Sequence, residues 1–155
     1  MVITIQEEGT RFGVRVGAII YNEDKSKILL ENQENKRYMF PGGRIDVHED
    51  SKYSIERELK EELNLKADLN LKYIVEMFIK SPKTKYHEIG FYFITQINEN
   101  KIPNNFKSLD GDSHFIWVRI KDLENYNILA KPIKEKIQKN EITNNTLEHL
   151  VYREY

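Results

Sequence analysis

A regular apolar spacing predicts a helix over residues 51–63. The apolar side chains of this segment recur every four residues, at Ile55, Leu59 and Leu63, which places them on one helix face. Asp50 or Ser51 can cap the start of the helix, and Asn64 suits the left-handed conformation that ends many helices. A helix with one apolar face must pack against a second layer of structure.

The segments around this helix have the composition of β-strands. Residues 14–21 and 28–30 are rich in β-branched and other apolar side chains and flank a polar stretch, as in a β-hairpin. Residues 73–79 and 89–97 predict a second hairpin, and residues 115–120 predict a further strand. Strands therefore lie on both sides of the helix in sequence.

Two late segments are predicted to be helical. A weaker helical pattern follows Pro132 within residues 123–140, and residues 146–155 are expected to form a short terminal helix. The order of elements predicts one α+β domain over residues 1–155. Its expected architecture is an α/β/α sandwich, in which a mixed β-sheet lies between helices.

Length, charge and composition exclude several classes of protein. The 155 residues suit one domain, and 24 basic against 25 acidic residues give a net charge of −1, so no net positive field exists to hold a nucleic-acid polymer. The absence of cysteine excludes disulfides, a thiolate zinc site and a cysteine nucleophile. The first residues lack the apolar core of a signal peptide, and no apolar run is long enough to span a membrane. A cytoplasmic protein that does not bind membranes is expected.

A set of acidic residues gathers around the predicted helix. At about 100° per helical residue, Glu58, Glu61 and Glu62 fall on one side of the helix beside its apolar face, and Glu49 lies in the preceding loop. Carboxylates packed so closely repel one another unless a cation neutralises them. Oxygen ligands without His or Cys favour Mg²⁺ or Mn²⁺, and Mg²⁺ is commonly bound together with substrate phosphates. The helix therefore predicts a divalent metal site that acts on phosphate groups.

The spacing of these residues is more specific than their charge, because a Glu-rich helix is more often a solvated surface. Gly43 is followed after five residues by Glu49, and after seven more by Arg-Glu-Leu-Lys-Glu-Glu-Leu-Asn-Leu at residues 57–65. Composition alone gives such a match in roughly one in 10⁴ chains or fewer. The pattern resembles the signature of the Nudix hydrolase family, and it departs from that signature at Asn64, where the family has glycine.

The resemblance implies which residues hold the metal and which take part in catalysis. Glu58 and Glu62 would be the principal ligands of Mg²⁺ or Mn²⁺, assisted by Glu61, Glu49 and the carbonyl of Gly42. Arg57 would orient the acids through ion pairs, since its planar guanidinium can engage two carboxylate oxygens at once.

The base that activates water is a separate question. In the family this base is either a glutamate of the helix or an acid from a late loop. Here the resemblance implies Glu58 as the first candidate, with Glu61 beside it. Asp112 and Asp110 are the loop candidates.

Residues near the Pro-Gly-Gly turn are candidates for substrate binding. Gly43 permits close approach of the backbone to phosphate. Tyr38 and Phe40 can contact a base, although Phe40 can equally pack beneath the turn, and Arg37 and Arg44 can meet phosphate or stay solvated. Trp117 can also stack on a base, although a single Trp in a strand is more often part of the core.

The resemblance implies a metal-dependent hydrolase of nucleoside diphosphates linked to another moiety. Its partner would be a small nucleotide, and pairing of exposed strands could form a homodimer. Two alternatives stay open: a Nudix-like sensor that binds a nucleotide without cleaving it, and an interaction protein whose acidic helix faces solvent.

Overall fold

The computed structural model describes residues 1–142 and 146–155. These residues form ten strands and two α-helices, which are joined by turns and short 3₁₀ helices. The strands are β1 (Thr4–Glu7), β2 (Thr10–Tyr21), β3 (Lys27–Gln33), β4 (Arg37–Met39), β5 (Gly42–Arg44), β6 (Asn70–Lys80), β7 (Lys85–Gln96), β8 (Phe106–Lys107), β9 (His114–Arg119) and β10 (Glu148–Glu154); the helices are α1 (Ser51–Leu63) and α2 (Lys131–Gln138).

The strands form one mixed sheet with the order β10-β6-β7-β2-β3-β9-β8. Its centre is a parallel pair, β2 and β7, which stay in register over twelve residues of each strand. β10 runs parallel to β6, and the other pairs are antiparallel. The mixed sheet expected from the sequence is confirmed.

Two apolar cores cover the two faces of the sheet. Alternate residues of β2 point to opposite faces, so Val16 belongs to the core that contains Ile55 and Leu59 of α1. Ile19 belongs to the other core, which contains Ile133 of α2. A helix therefore lies on each face, which confirms the α/β/α sandwich.

The first hairpin is formed over a shorter length than the sequence suggests. β2 and β3 are paired at Tyr21 and Ile28, and the two strands then take different neighbours. β2 pairs with β5 and β3 pairs with β9, so the Pro-Gly-Gly turn enters the sheet beside β2. This local separation of two strands brings the turn next to α1.

The prediction of a terminal helix over residues 146–155 is wrong, because this segment forms the edge strand β10. Its burial alternates with a period of two: Leu150 and Tyr152 pack against the core that contains α2, whereas His149, Val151 and Arg153 are exposed. Lys72 of β6 is buried and forms an ion pair with Glu148 at 3.2 Å. Long-range pairing with β6 thus overrides the local pattern of the segment.

The helix predicted within residues 123–140 is shorter than expected. The 3₁₀ helix Ile120–Asn125 comes first, and α2 begins at Lys131 with Pro132 in its first turn, where the missing N–H of proline costs no hydrogen bond. Within residues 1–142 and 146–155, neither helix combines the length and the apolar character needed to cross a membrane.

Helix α1 has the predicted bounds and caps. The Asp50 carboxylate accepts a hydrogen bond from the backbone N–H of Tyr53 at 2.9 Å. Asn64 adopts the left-handed conformation, with φ of 48°, and its N–H reaches the carbonyl of Lys60 at 3.0 Å. Asparagine therefore fills the position where the signature has glycine without a change in the end of the helix.

We expect Asn64→Gly to match or exceed the wild type in stability, because glycine reaches this backbone conformation without a steric penalty. Asn64→Ala should lower the free energy of unfolding by about 1 kcal/mol, since a Cβ opposes the left-handed region and alanine lacks the local hydrogen bonding of asparagine. Urea unfolding measures both. Lys52→Ala, at an exposed position of the same helix, serves as the control and should stay within about 0.5 kcal/mol. An Asn64→Ala variant as stable as the wild type would contradict this account.

Candidate active site

The register of β2 and β5 places the glycine turn against α1. Gly43 pairs with Val16, and a Cβ added to Gly43 would collide with the carboxylate of Glu58. At Gly42, a Cβ would collide with the backbone oxygen of Val16. The two glycines are thus required by close packing on both sides of the turn.

Arg57 is the cation at the centre of the acidic cluster. Its Nε and Nη2 donate to the two carboxylate oxygens of Glu49 at 2.6 and 3.0 Å. Its Nη1 donates to Glu58 and to Glu61, each at 3.1 Å. Hydrogen bonding from Arg57 lowers the pKa of Glu49 to about 2. Three of the four predicted glutamate ligands therefore converge on Arg57.

Glu62 has a different environment from the other three acids. Its Oε2 is buried and has no hydrogen-bond partner in the described structure. Burial raises the pKa of Glu62 to about 8, and repulsion from Glu31 and Glu58 adds to this effect. Among the acids of the signature, Glu62 thus has the carboxylate oxygen most in need of a partner.

Sequence reasoning missed two charged residues beside this cluster, Glu31 and Arg15. Glu31 extends from β3 and is only 7% exposed, and Arg15 of β2 is half-buried. Arg15 attracts Glu58 and Glu62 electrostatically, and it also attracts Glu31. Arg15 interrupts an apolar strand segment and Glu31 directly follows one. A charge next to apolar strand residues was the available signal, since isolated charges are seldom buried without a partner.

Part of this group lines one cavity of about 760 Å³. Glu31, Glu62 and Gly43 are among its lining residues, whereas the following are not: Glu49, Arg57, Glu58 and Glu61. Five basic side chains also line it: Arg11, Arg15, Arg37, Arg44 and Lys131. Acids that suit a metal and cations that suit phosphates therefore share one cavity. A second depression of about 870 Å³, beyond the end of α1, is lined by Lys52, Lys66 and other residues and contains none of the predicted site residues.

The predicted substrate-binding residues divide into two groups. Arg37, Phe40, Gly43 and Arg44 line the cavity, although Phe40 is 2% exposed and lies mainly in the core that contains α2. Tyr38 is placed outside the lining, because successive strand residues alternate in direction and its ring packs edge-on against Tyr126 at 4.9 Å.

Trp117 and Asp112 lie outside the cavity. The indole N–H of Trp117 donates to the Ile102 carbonyl at 2.8 Å, and its ring packs against the core that contains α1, as the core interpretation expects. Asp112 is fully exposed and lies 3.9 Å from Lys107. The backbone N–H of Leu109 donates to the backbone carbonyl of Glu62 at 2.9 Å and holds this loop against α1. The neighbouring Asp110 is therefore close enough to raise the pKa of the Glu62 side chain.

The residues present have oxygen donors that suit a divalent cation, although they do not form a complete coordination site. Among the described residues no three acidic or histidine side chains are arranged so that they hold a metal by themselves. Arg57, which is expected to orient the acids, contacts three of the four glutamates: Glu49, Glu58 and Glu61. The buried, unpartnered Oε2 of Glu62 and the carboxylate of Glu58 against Gly43 are the oxygen donors that suit such an ion.

The raised pKa of Glu62 predicts a pH-dependent stability. Between the ordinary glutamate pKa and about 8, the folded protein binds a proton at Glu62 that the unfolded chain has lost. The free energy of unfolding should therefore fall as the pH rises through this range. Glu62→Gln removes the titrating group, so without metal its stability advantage over the wild type should be larger at about pH 9 than at about pH 5.

Chemical unfolding with a chelator present measures this difference. Glu56→Gln is the matched control, because Glu56 is exposed on the same helix and should follow the wild type at both pH values. An equal advantage of Glu62→Gln at both pH values would show that Glu62 titrates normally.

Comparisons with known proteins match most of the chain to one family. A family model described as the NUDIX domain matches residues 11–140. The chain is 30% identical over 117 residues to an 8-oxo-dGTP diphosphatase from Buchnera aphidicola subsp. Schizaphis graminum, and the match covers 72% of this chain and 80% of that protein.

Solved structures share the fold. A MutT protein from Bacillus halodurans has a TM-score of 0.70 and 18% sequence identity, covering 91% of this chain and 89% of that chain. The dihydroneopterin triphosphate pyrophosphohydrolase of E. coli has a TM-score of 0.62 and 16% identity, covering 84% of this chain and 96% of that one. The family model spans most of the chain and includes the glycine turn, α1 and the acids around Arg57. The chain belongs to the Nudix hydrolase family.

Proposed function

We propose that this hydrolase cleaves a phosphoanhydride in a nucleoside diphosphate linked to another moiety, with Mg²⁺ or Mn²⁺ as its cofactor. The observation that carries the proposal is the buried, unpartnered carboxylate oxygen of Glu62, a residue that lines a cavity together with five basic side chains. The carboxylate of Glu58 lies against Gly43, which lines the same cavity. Buried oxygens of this kind require a proton or a cation. The basic residues supply the complementary charge for a polyphosphate.

Glu58 and Glu62 would hold the metal, with Glu49, Glu61 and the Gly42 carbonyl assisting. Bound there, the ion would supply Lewis acidity, which offsets phosphate charge and makes water a better nucleophile. Arg57 holds Glu49, Glu58 and Glu61 in place through four hydrogen bonds, and we assign it a positioning role.

The chain's own residues would carry the hydrolysis as follows. Arg15, Arg37 and Arg44 hold the phosphates, and water attacks one phosphorus of the anhydride. The P–O bond on the far side breaks, and a nucleoside monophosphate is one of the two products. Glu58 is the proposed base that accepts the proton of the water, because burial raises its pKa above the ordinary glutamate value and so makes its carboxylate a stronger base. Glu61 and Asp110 are the nearby alternatives.

A second candidate function is nucleotide sensing without cleavage. One observation favours it: Arg57 already forms ion pairs with Glu49, Glu58 and Glu61, which reduces their mutual repulsion without a metal. A sensor would bind nucleotides equally with and without divalent cations and would release no product.

We also propose the cellular compartment and the partners of the enzyme. An acidic site made of oxygen ligands, with no cysteine in the chain, suits the reducing conditions of the cytoplasm. A small nucleotide is the expected partner, and strands at the edges of the sheet would be the contact of a homodimer.

Hydrolysis of a substrate panel tests the proposed function. The panel contains nucleoside triphosphates, ADP-ribose, a nucleotide sugar and a dinucleoside polyphosphate, each with Mg²⁺ or Mn²⁺. Glu58→Gln should lower kcat by about 10² or more on the best substrate, because it removes both a base and a metal ligand. Glu62→Gln should also impair turnover, and Glu56→Gln on the exposed face of α1 should leave it unchanged.

Full activity of Glu58→Gln would contradict the assigned chemistry. Nucleotide binding by the wild type that needs no metal, with no turnover of any anhydride, would show that the protein is a sensor and not a hydrolase.

A further inference from the structure

One buried acid in the cavity has no part in the proposed hydrolysis. Glu88 of β7 is 7% exposed and lines the cavity with Met77 and Ile79 of β6. One carboxylate oxygen, Oε2, accepts a hydrogen bond from the Tyr86 hydroxyl. A carboxylate has about four acceptor sites, so most of its hydrogen-bonding capacity remains for a ligand.

The position of Glu88 relative to the acids of α1 follows from the register of β2. Val16 pairs with Gly43, which contacts Glu58, and Gly13 pairs with Glu88. The two positions are three residues apart, or about 10 Å along the strand. This spacing is comparable to the distance between a phosphate and the far edge of the nucleobase in one nucleotide.

Arg15 lies between these two ends of the cavity. It attracts Glu88 at one end and Glu58 and Glu62 at the other. Its described hydrogen bond is a 4.0 Å contact to the Met39 sulfur, which leaves most of its N–H donors for a ligand. Arg15 is therefore placed to meet phosphate oxygens while Glu88 faces the base.

The walls beside Glu88 suit a flat ring. Met77 and Ile79 are apolar, and the Tyr92 ring lies so close to Gly17 and Gly90 that a Cβ on either glycine would overlap with it at 2.6 Å. Apolar walls with one oriented carboxylate are the usual composition of a site that recognises a heterocycle.

We propose that Glu88 reads the base of the substrate and selects a guanine-type edge. A carboxylate accepts two parallel hydrogen bonds from adjacent N–H groups. Among the common bases only guanine offers such a pair, from its ring N1–H and its 2-amino group. Adenine and cytosine place a ring acceptor beside the amino group, and that acceptor would repel the carboxylate.

Other acids of the cavity are less suited to this role. Glu154 already accepts a hydrogen bond from Lys131. Glu31 acts on Glu62 at the phosphate end. Glu88 alone of these three is both buried and bound by a neutral hydroxyl, which leaves its charge available to polarised N–H donors.

This inference rests on the proposed function, because it requires a nucleotide in the cavity. The test is nevertheless made with nucleoside monophosphates, which contain no anhydride, so that binding is separated from hydrolysis. Calorimetry without divalent cations gives the Kd of GMP, IMP, 1-methyl-GMP and AMP. IMP lacks the 2-amino group, and 1-methyl-GMP lacks the N1–H.

The wild type should bind GMP at least about ten-fold more tightly than each of the other three, since a lost bidentate contact to a base costs roughly that much or more. Glu88→Gln should weaken GMP binding by a similar factor and leave AMP binding little changed. Glu76→Gln is the matched control, because Glu76 lies on the neighbouring strand, faces the opposite side of the sheet and pairs with His149.

Equal affinity of the wild type for GMP and IMP would overturn the assignment, as would an unchanged GMP preference in Glu88→Gln or the absence of monophosphate binding. The comparison of the four ligands needs no variant, so it stands even if Glu88→Gln fails to fold. Guanine-selective binding without turnover of any anhydride would contradict the proposed hydrolysis but would still support the role of Glu88 in binding the base.

Discussion

The ion pairs of Arg57 hold the candidate active site together. Four carboxylates lie around one turn and one helix, and their mutual repulsion would otherwise separate them. Arg57 binds Glu49 through two hydrogen bonds and also reaches Glu58 and Glu61, so one planar group fixes acids from a loop and from two turns of α1. Lysine, with a single charged nitrogen, could not make the same set of contacts. The acid that Arg57 does not reach, Glu62, is the one whose oxygen is buried without a partner.

The mixed sheet determines where this cluster acts. β2 pairs with β5 on one side and with β7 on the other, so a single strand positions both the glycine turn and Glu88. Arg15 lies on that same strand, between the acids of α1 and the groups of β7. The cavity consequently combines acidic, basic and apolar side chains. Metal, phosphates and base in a nucleotide complex require these three kinds of environment.

Helix α1 and its caps could be predicted from the sequence because they depend on local spacing: the four-residue repeat of Ile55, Leu59 and Leu63 and the capping chemistry of Asp50 and Asn64. The strand β10 could not, because its conformation comes from pairing with β6, about 75 residues earlier in the chain. Glu31, Arg15 and Glu88 were missed for a related reason. They become neighbours only through the register of β3, β2 and β7, which no local pattern encodes. The glutamates of α1 and their pairing with Arg57 were expected from the resemblance, but the buried, unpartnered oxygen of Glu62 could be found only from the side-chain geometry.

Binding of Mn²⁺ to the purified protein tests the central claim most directly, since electron paramagnetic resonance detects the free ion. If Glu58 and Glu62 are cation ligands, the wild type should reduce the free Mn²⁺ signal in a saturable titration, and the exposed Glu56→Gln variant should do the same. The Glu58→Gln, Glu62→Gln double variant should leave the signal close to that of buffer. A wild-type protein that leaves free Mn²⁺ unchanged, with and without nucleotide, would show that the acidic cluster is complete with Arg57 alone.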